Sequence, residues 1–381
     1  MKALRCTALL SGFTLLSGAV YLAAQQGPES QSSETVAKPK KKDAGNASTP
    51  TDSDLPKIPS QFNPKDKVAP EGLPTFKSDV TTIQVDVAVL DNKGRFIPKI
   101  PRGNFRILED GAPQPVTGFS VGNEAPMTVA MVIEFSNLFQ SYWSEGWYQT
   151  LVAAYGFVET LKPDDYAAVI AFDMRPEILT DFTTDRMKIQ EAMQRLRIPG
   201  FSESNLFDAL VDTEDRMKEI EGRKAIILFA SGRDTFSRIT FDKCRKTLQE
   251  DAVPIYAISL LQSLRERADA RGSMGPISQL DFLQADNEMK TFAKETGGQS
   301  YFPRFYGEFP NIYRAIQEAL RNQYSISYHP TNSARDGKYR KIKVELVNPE
   351  TNEPLRIVEN GKPIKYQVIA KAGYTAPREV E

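Results

Sequence analysis

Four short apolar runs, each followed by a helix-patterned stretch, constrain this chain more than any other feature. The runs are 127–135, 167–172, 225–230 and 255–260. Each is continuous and rich in β-formers, the pattern of strands buried on both faces. Between them Trp147, Leu151, Ala154, Val158 and Leu161 recur at helical spacing, as do Leu206, Leu210, Thr213 and Met217, and later Phe282, Met289 and Phe292. Strand alternating with helix predicts an α/β unit over 127–321, a Rossmann-like, doubly wound, mostly parallel sheet. Such sheets hold ligands beyond the carboxyl ends of their strands, where strand order reverses. The residues that follow each run are therefore the candidate site.

The flanks have another rhythm. Ile83, Val85, Val87 and Val89 alternate with Thr82, Gln84, Asp86 and Ala88, as a half-buried strand does. Residues 105–108 lead into Asp110-Gly111, a hairpin signal, and then 116–121. The far end looks alike: Tyr324, Ile326 and Tyr328 alternate with serines, Ile342, Val344 and Leu346 with charged residues, and Asn360-Gly361 marks a turn before 364–369. Neither end has enough strands for a stable sheet alone. The expectation is one antiparallel β-sandwich assembled from 76–126 and 322–377, with the α/β unit inserted between them.

The amino terminus carries Lys2 and Arg5, an uncharged stretch over 6–24, and closing Ala23 and Ala24. That order reads as a secretory signal over 1–24, with an uncleaved anchor as the alternative. Residues 25–75 mix Pro, Ser, Lys and Asp with almost no aromatics and read as a disordered linker. No later segment is long and apolar enough to span a bilayer after signal removal. The expected location is exported: periplasm, cell surface or secreted. Lys+Arg is 48 against Asp+Glu 49, a net charge of -1, which gives no support to nucleic-acid binding. Two Cys and one His leave too few ligands for a Cys/His zinc site. His329 reads as structural and Cys244 as a small buried residue. Phosphate-loop, dinucleotide and nucleophile-elbow motifs are absent from the sequence.

Three segments follow the apolar runs or open a helix: 134–138 (Glu-Phe-Ser-Asn-Leu), 204–209 (Ser-Asn-Leu-Phe-Asp-Ala) and 223–235. With 85–119, 161–172, 296–298, 328–344 and the closing Lys371-Ala372-Gly373-Tyr374, their order resembles the von Willebrand factor type A family. It is most similar to an exported, acidobacterial-type branch with flanking β segments. The resemblance implies a metal-ion-dependent adhesion site, formed by Asp-x-Ser-x-Ser, a Thr and a further Asp around Mg²⁺. Carried over, Glu134 stands for the first Asp, Ser136 is retained, Leu138 replaces the second Ser, Ser204 replaces Thr, and Ser231 replaces the last Asp. A hard cation needs charged oxygen ligands in near-octahedral order. The metal set Glu134, Ser136 and Ser204 is thus degenerate, holding Mg²⁺ weakly at most, and no other cofactor is expected.

The reading of function is a non-enzymatic, exported protein-binding module of adhesion or scaffold type. Its partner-facing residues are expected to be Glu134, Ser136, Trp143, Ser231 and Asp234, with Leu138, Phe139 and Tyr142 in the same loop. Residues 265–275 read as a mobile loop beside that face. A carboxylate-dependent enzyme using Glu134, Asp173 and Asp234, or an inert structural scaffold, are the alternatives.

Overall fold

The computed structural model describes residues 81–378 apart from 123–125, 137–142, 197–202, 261, 273–274 and 360. The signal and linker segments, Leu138, Phe139, Tyr142 and Asn360 lie outside the described residues. In chain order β1 (Ile83–Asp91), β2 (Phe105–Glu109), β3 (Ala112–Gln114) and β4 (Val116–Val121) come first. The α/β part follows: β5 (Met127–Glu134), α1 (Trp143–Val158), β6 (Tyr166–Phe172), β7 (Pro176–Thr183), α2 (Arg186–Gln194), α3 (Leu206–Met217), β8 (Arg223–Ala230), α4 (Phe241–Asp251), β9 (Ile255–Ser259), α5 (Gln262–Ala270), α6 (Pro276–Thr296), β10 (Gln299–Tyr301) and α7 (Phe309–Arg321). The chain closes with β11 (Tyr324–Tyr328), β12 (Tyr339–Leu346), β13 (Ile357–Glu359), β14 (Lys362–Ile364), β15 (Tyr366–Ala370) and β16 (Gly373–Thr375).

Among the described residues the central sheet runs β10-β9-β8-β5-β6-β7, parallel except for the antiparallel edge pair β6–β7. Period-two alternation sends its side chains to two separate cores. Val129, Met131 and Ile133 pack with Ala225, Ile227 and Phe229 under α1, α2 and α7. Ala130 and Val132 pack with Ile226 and Leu228 under α3, α4 and α6. Helices thus cover both faces, which is why the strands read as unbroken apolar runs. Strand β5 is first in this sheet, and β6 and β8 leave it on opposite sides. Strand order therefore reverses there, above Glu134.

The remaining strands interleave the two ends of the chain. In one sheet β1 lies between β11 and β15, and β11 also pairs with β4. In another, β12 lies between β16 and β2, which pairs with β3. Val85, Val87 and Ile107 share a core with Tyr324, Ile326, Tyr328 and Ile342. The β2–β3 turn places Asp110 at φ 48 and Gly111 at φ 87, the left-handed pair that a two-residue hairpin requires.

Two differences from the sequence reading matter. Residues 262–270 form α5, where a mobile loop over 265–275 was expected. That stretch has no breaker and is rich in Arg, Glu and Ala, good helix formers without an apolar stripe. Arg265 is also held bidentately by Asp286 of α6 at 2.8 and 3.0 Å. The sheet also has two strands beyond the four apolar runs, β7 and β10, both at its edges. Among the described residues no helix is long and apolar enough to cross a membrane.

Candidate functional site

Glu134 ends β5, and Ser231 directly follows β8, its neighbour in the sheet. Both are buried. Glu134 Oε2 accepts the backbone N–H of Ser231 at 2.6 Å, and Oε1 accepts the Ser136 hydroxyl at 2.6 Å. The carboxylate thus clamps two strand ends and the loop leaving β5. Burial raises its pKa above the ordinary carboxylate value; the bonds from Ser136 and Ser231 and the charge of Arg233 oppose that rise. The Ser231 hydroxyl accepts the Arg233 N–H at 3.2 Å.

A second knot joins the loop after β8 to the start of α3. Thr235 and Ser204 bind each other twice, Ser204 N–H to Thr235 Oγ1 at 2.9 Å and Thr235 N–H to Ser204 O at 2.8 Å. The residue before α3, Asn205, makes no side-chain cap of its own. Asp234 Oδ1 accepts the Phe207 N–H at 3.3 Å and the Ser237 hydroxyl at 2.5 Å, while Ser237 Oγ accepts the N–H groups of Phe207 and Asp208, both at 3.1 Å. The first turn of α3 is thus capped from another loop, which satisfies donors that every helix start leaves open. Desolvation raises the pKa of Asp234, with Ser237 and Phe207 opposing.

The expected site residues therefore divide. Glu134, Ser136 and Ser231 come together in one hydrogen-bonded group. Asp234 belongs to the neighbouring cap. Trp143 is the first residue of α1. Asp173 accepts the Arg175 N–H at 3.3 Å, and its carbonyl accepts the N–H of Asn205 at 2.8 Å. His329 lies on the exposed flank, its Nδ1 3.3 Å from Thr82 Oγ1. Cys244 is buried on α4, its Sγ 3.7 Å from the Phe207 carbonyl oxygen.

Among the described residues, Ser204 Oγ, Asn205 Oδ1, Ser259 Oγ at the carboxyl end of β9 and Gln262 Oε1 at the start of α5 are buried without a hydrogen-bond partner. Ser204 occupies a position in the implied ligand set, so it speaks for a cation. The rest of the donor set speaks against one. Both Glu134 oxygens already accept hydrogen bonds, the Ser231 hydroxyl accepts another, and the Arg233 guanidinium lies in the field of Glu134. A hard divalent ion requires several anionic oxygens facing it, and the residues present do not fit that need.

Sequence reasoning missed the rim around this group. Exposed Tyr148 of α1 meets Tyr306 edge-on at 6.3 Å between ring centroids. Phe305, Phe236, Leu280 and Leu283 are exposed as well. Phe236 follows β8, the two leucines lie in the first turns of α6, and Phe305 and Tyr306 follow β10. All lie on segments that leave the carboxyl ends of parallel strands. No spacing rule links them, because they share only the end of the sheet that their segments leave. Arg233 and Arg265 both stack on Phe282, at 5.7 and 4.6 Å from its ring centroid.

Residues 143–233 match the sequence profile of the von Willebrand factor type A domain. Among solved structures the chain is similar to a von Willebrand factor type A protein from Catenulispora acidiphila, at 10% identity over 79% of this chain and 76% of that one, with a TM-score of 0.39. It is similar to the von Willebrand factor domain of the type V pilus tip protein Mfa5 from Porphyromonas gingivalis, at 21% identity over 29% and 40%, with a TM-score of 0.26. Proximal thread matrix protein 1 from the mussel byssus matches at 10% identity over 52% and 49%, with a TM-score of 0.38. The chain thus spans about half or less of the length of the last two. No curated protein matches it. The central α/β unit is similar to a von Willebrand factor type A domain, by sequence over 143–233 and by its mostly parallel six-stranded sheet.

Proposed function

We propose that this chain is an exported, non-enzymatic protein-binding module of adhesion or scaffold type that meets its partner with the carboxyl-end face of the α/β unit. In this reading a signal (1–24) and a linker (25–75) precede a β-sandwich built from 76–126 and 322–377, with the type A domain (127–321) inserted. The observation that carries it is the apolar rim: Tyr148, Phe236, Leu280, Leu283, Phe305 and Tyr306 are all exposed, and all lie on segments leaving strand carboxyl ends. Gathered exposed apolar groups are the usual mark of an interaction surface. Glu134 and Ser231 are too buried to touch a partner and act instead as the clamp beneath it. The same clamping argues against catalysis, since Glu134 and Asp234 spend their oxygens on internal donors.

The test is affinity capture from the native envelope with the mature chain, using Leu283→Glu with Phe305→Ser against a control, Val358→Glu, on the exposed β13. A partner retained by wild type and control but lost by the double variant supports the reading. A partner held equally by all three refutes the rim as the binding face. The metal part of the reading is tested by calorimetric titration with Mg²⁺ and Mn²⁺. Wild type should show no saturable binding at millimolar concentration, and Glu134→Asp with Leu138→Ser and Ser231→Asp should restore it. N-terminal sequencing of envelope or medium material tests removal of 1–24; a start at Met1 in a membrane fraction would support an anchor.

A further inference from the structure

The amino-terminal end of the parallel sheet carries a cavity of its own, of about 580 Å³. Pro126 before β5, Arg223 at the start of β8 and Pro254 before β9 line it. The length of β5, roughly 25 Å at the usual rise per residue, separates it from Glu134. Its other walls come from Asp86 of β1, Ser325 of β11, the end of α6 at Thr296, and Lys371 just after β15. The volume lies within the range of small-molecule sites, about 300–1,000 Å³.

Its charges are unequally matched. Asp86 already accepts the Ser325 hydroxyl at 2.7 Å and the Gln84 amide at 3.3 Å. Against this one carboxylate stand Arg223, Lys224 and Lys371. The Lys224 ammonium donates to the carbonyls of Met217 and Lys218 at 2.8 and 2.7 Å, and Arg223 donates to the Arg321 carbonyl. Lys371 differs. It is half-buried, and among the described residues no hydrogen bond or ion pair holds its ammonium. Burial lowers its pKa, with the more distant charge of Asp86 opposing. Desolvated polar groups are normally paired, and a cation left facing a cavity calls for an explanation.

We infer that this cavity is an oxyanion site, which takes a small molecule bearing a phosphate or carboxylate group, with Lys371 as the principal contact and Arg223 as the second. The anion is met by the side-chain ends of Arg223 and Lys371; Gly297 packs against the Lys371 backbone, so the negative pole at the carboxyl end of α6 lies beside that backbone and keeps the anion at the side-chain ends. Two cations in one partly desolvated cavity favour bidentate, charge-assisted bonds to a compact oxyanion. This site is independent of the carboxyl-end face and of whatever partner that face meets.

The test is calorimetric titration of the mature chain at low salt, with inorganic phosphate and, separately, citrate. At least one should bind saturably at millimolar concentration or tighter. Lys371→Met should weaken that binding by at least about tenfold, the loss expected for one charge-assisted contact. Lys371→Arg should retain it within a few-fold, and Lys294→Met, on an exposed face elsewhere, should leave it unchanged. Thermal melts confirm that each variant folds, and Lys371→Gln replaces the Met variant if that one does not. Phosphate binding alone assigns a phosphorylated ligand, and citrate binding alone a carboxylated one. Failure of both to saturate, or wild-type affinity in folded Lys371→Met and Lys371→Gln, overturns the inference.

Discussion

The two ends of the parallel sheet treat buried charge in opposite ways. At the carboxyl end both oxygens of Glu134 are taken, by the Ser136 hydroxyl and the Ser231 N–H. At the amino end Lys371 faces a cavity with no described hydrogen bond. Yet the amino end also holds a closed pair: Arg321 donates twice to Asp165, and both side chains are almost fully buried. Burial is therefore a poor guide to a binding site. The bonds that a buried charge leaves unmade are the better guide, because a satisfied charge holds the fold together and an unsatisfied one raises the energy of the empty protein. A sequence-based reading looks for the site at the strand carboxyl ends, where the fold class says it should be. The bonding pattern there is that of a clamp.

The largest expected effect is at the closed pair. Asp165 also accepts the N–H groups of Met127 and Lys162, at 3.1 and 2.7 Å, so it ties β5, the loop before β6 and α7 together. Arg321→Met should destabilise the chain by about 3–5 kcal/mol, the cost of stranding a buried partner charge. Adding Asp165→Asn should recover much of that loss. Urea denaturation of the single and double variants measures both. A double variant as unstable as the single one would mean that packing of the arginine stem, and not the stranded carboxylate, dominates.

Next in size is the clamp. Glu134→Ala leaves the Ser231 N–H and the Ser136 hydroxyl without their acceptor, and should cost about 2–4 kcal/mol. Glu134→Gln keeps an acceptor and should cost less, with a pH dependence of definite sign. Burial raises the pKa of Glu134 in the folded state. A raised folded value means that this group's stabilising contribution is complete below the unfolded value, about 4.3, and is lost as pH rises through the folded value. Glutamine does not ionise, so the deficit of Glu134→Gln relative to wild type should shrink between about pH 5 and pH 7. A deficit that grows across this interval would show that the ionised form is the one the clamp prefers.

How far the sequence reached follows from the range of each signal. Strands buried on both faces declare themselves as apolar runs, and β5, β6, β8 and β9 lie where the runs do. Strand β7 is an edge whose residues are mostly half-buried or exposed, so PEILTDFT carries no such run. Strand β10 has three residues, too short for any period. Helix α7 carries a signal that the sequence reading did not take up: Phe309, Ile312, Tyr313, Ile316 and Leu320 follow helical spacing, and Pro310 is tolerated in a first turn. The metal positions could be matched by order, but not the hydrogen bonds that engage Glu134, since its partner Ser231 N–H is a backbone group. Lys371 could not be found at all. Its cavity is assembled from β1, β8, α6 and the chain after β15, and a net charge of -1 averages away a local excess of cations.

The smallest effect is the one that separates the two ends most sharply. Lys371→Met, measured without added anion, should change stability by no more than about 1 kcal/mol, and in the stabilising direction. The methionine keeps the apolar stem in the cavity wall and removes a desolvated charge that no described group holds. Burial lowers the pKa of Lys371 in the folded state, so the folded protein prefers the neutral amine and any gain from Met should be larger at about pH 7 than near about pH 10. Glu134→Ala in the same buffer should move the opposite way. If Lys371→Met instead destabilises the empty chain by an amount comparable to Glu134→Ala, Lys371 is held by Asp86 and the end of α6 as firmly as Glu134 is held by its serines. The two ends would then be alike, and the cavity would be a packing seam between the sheets.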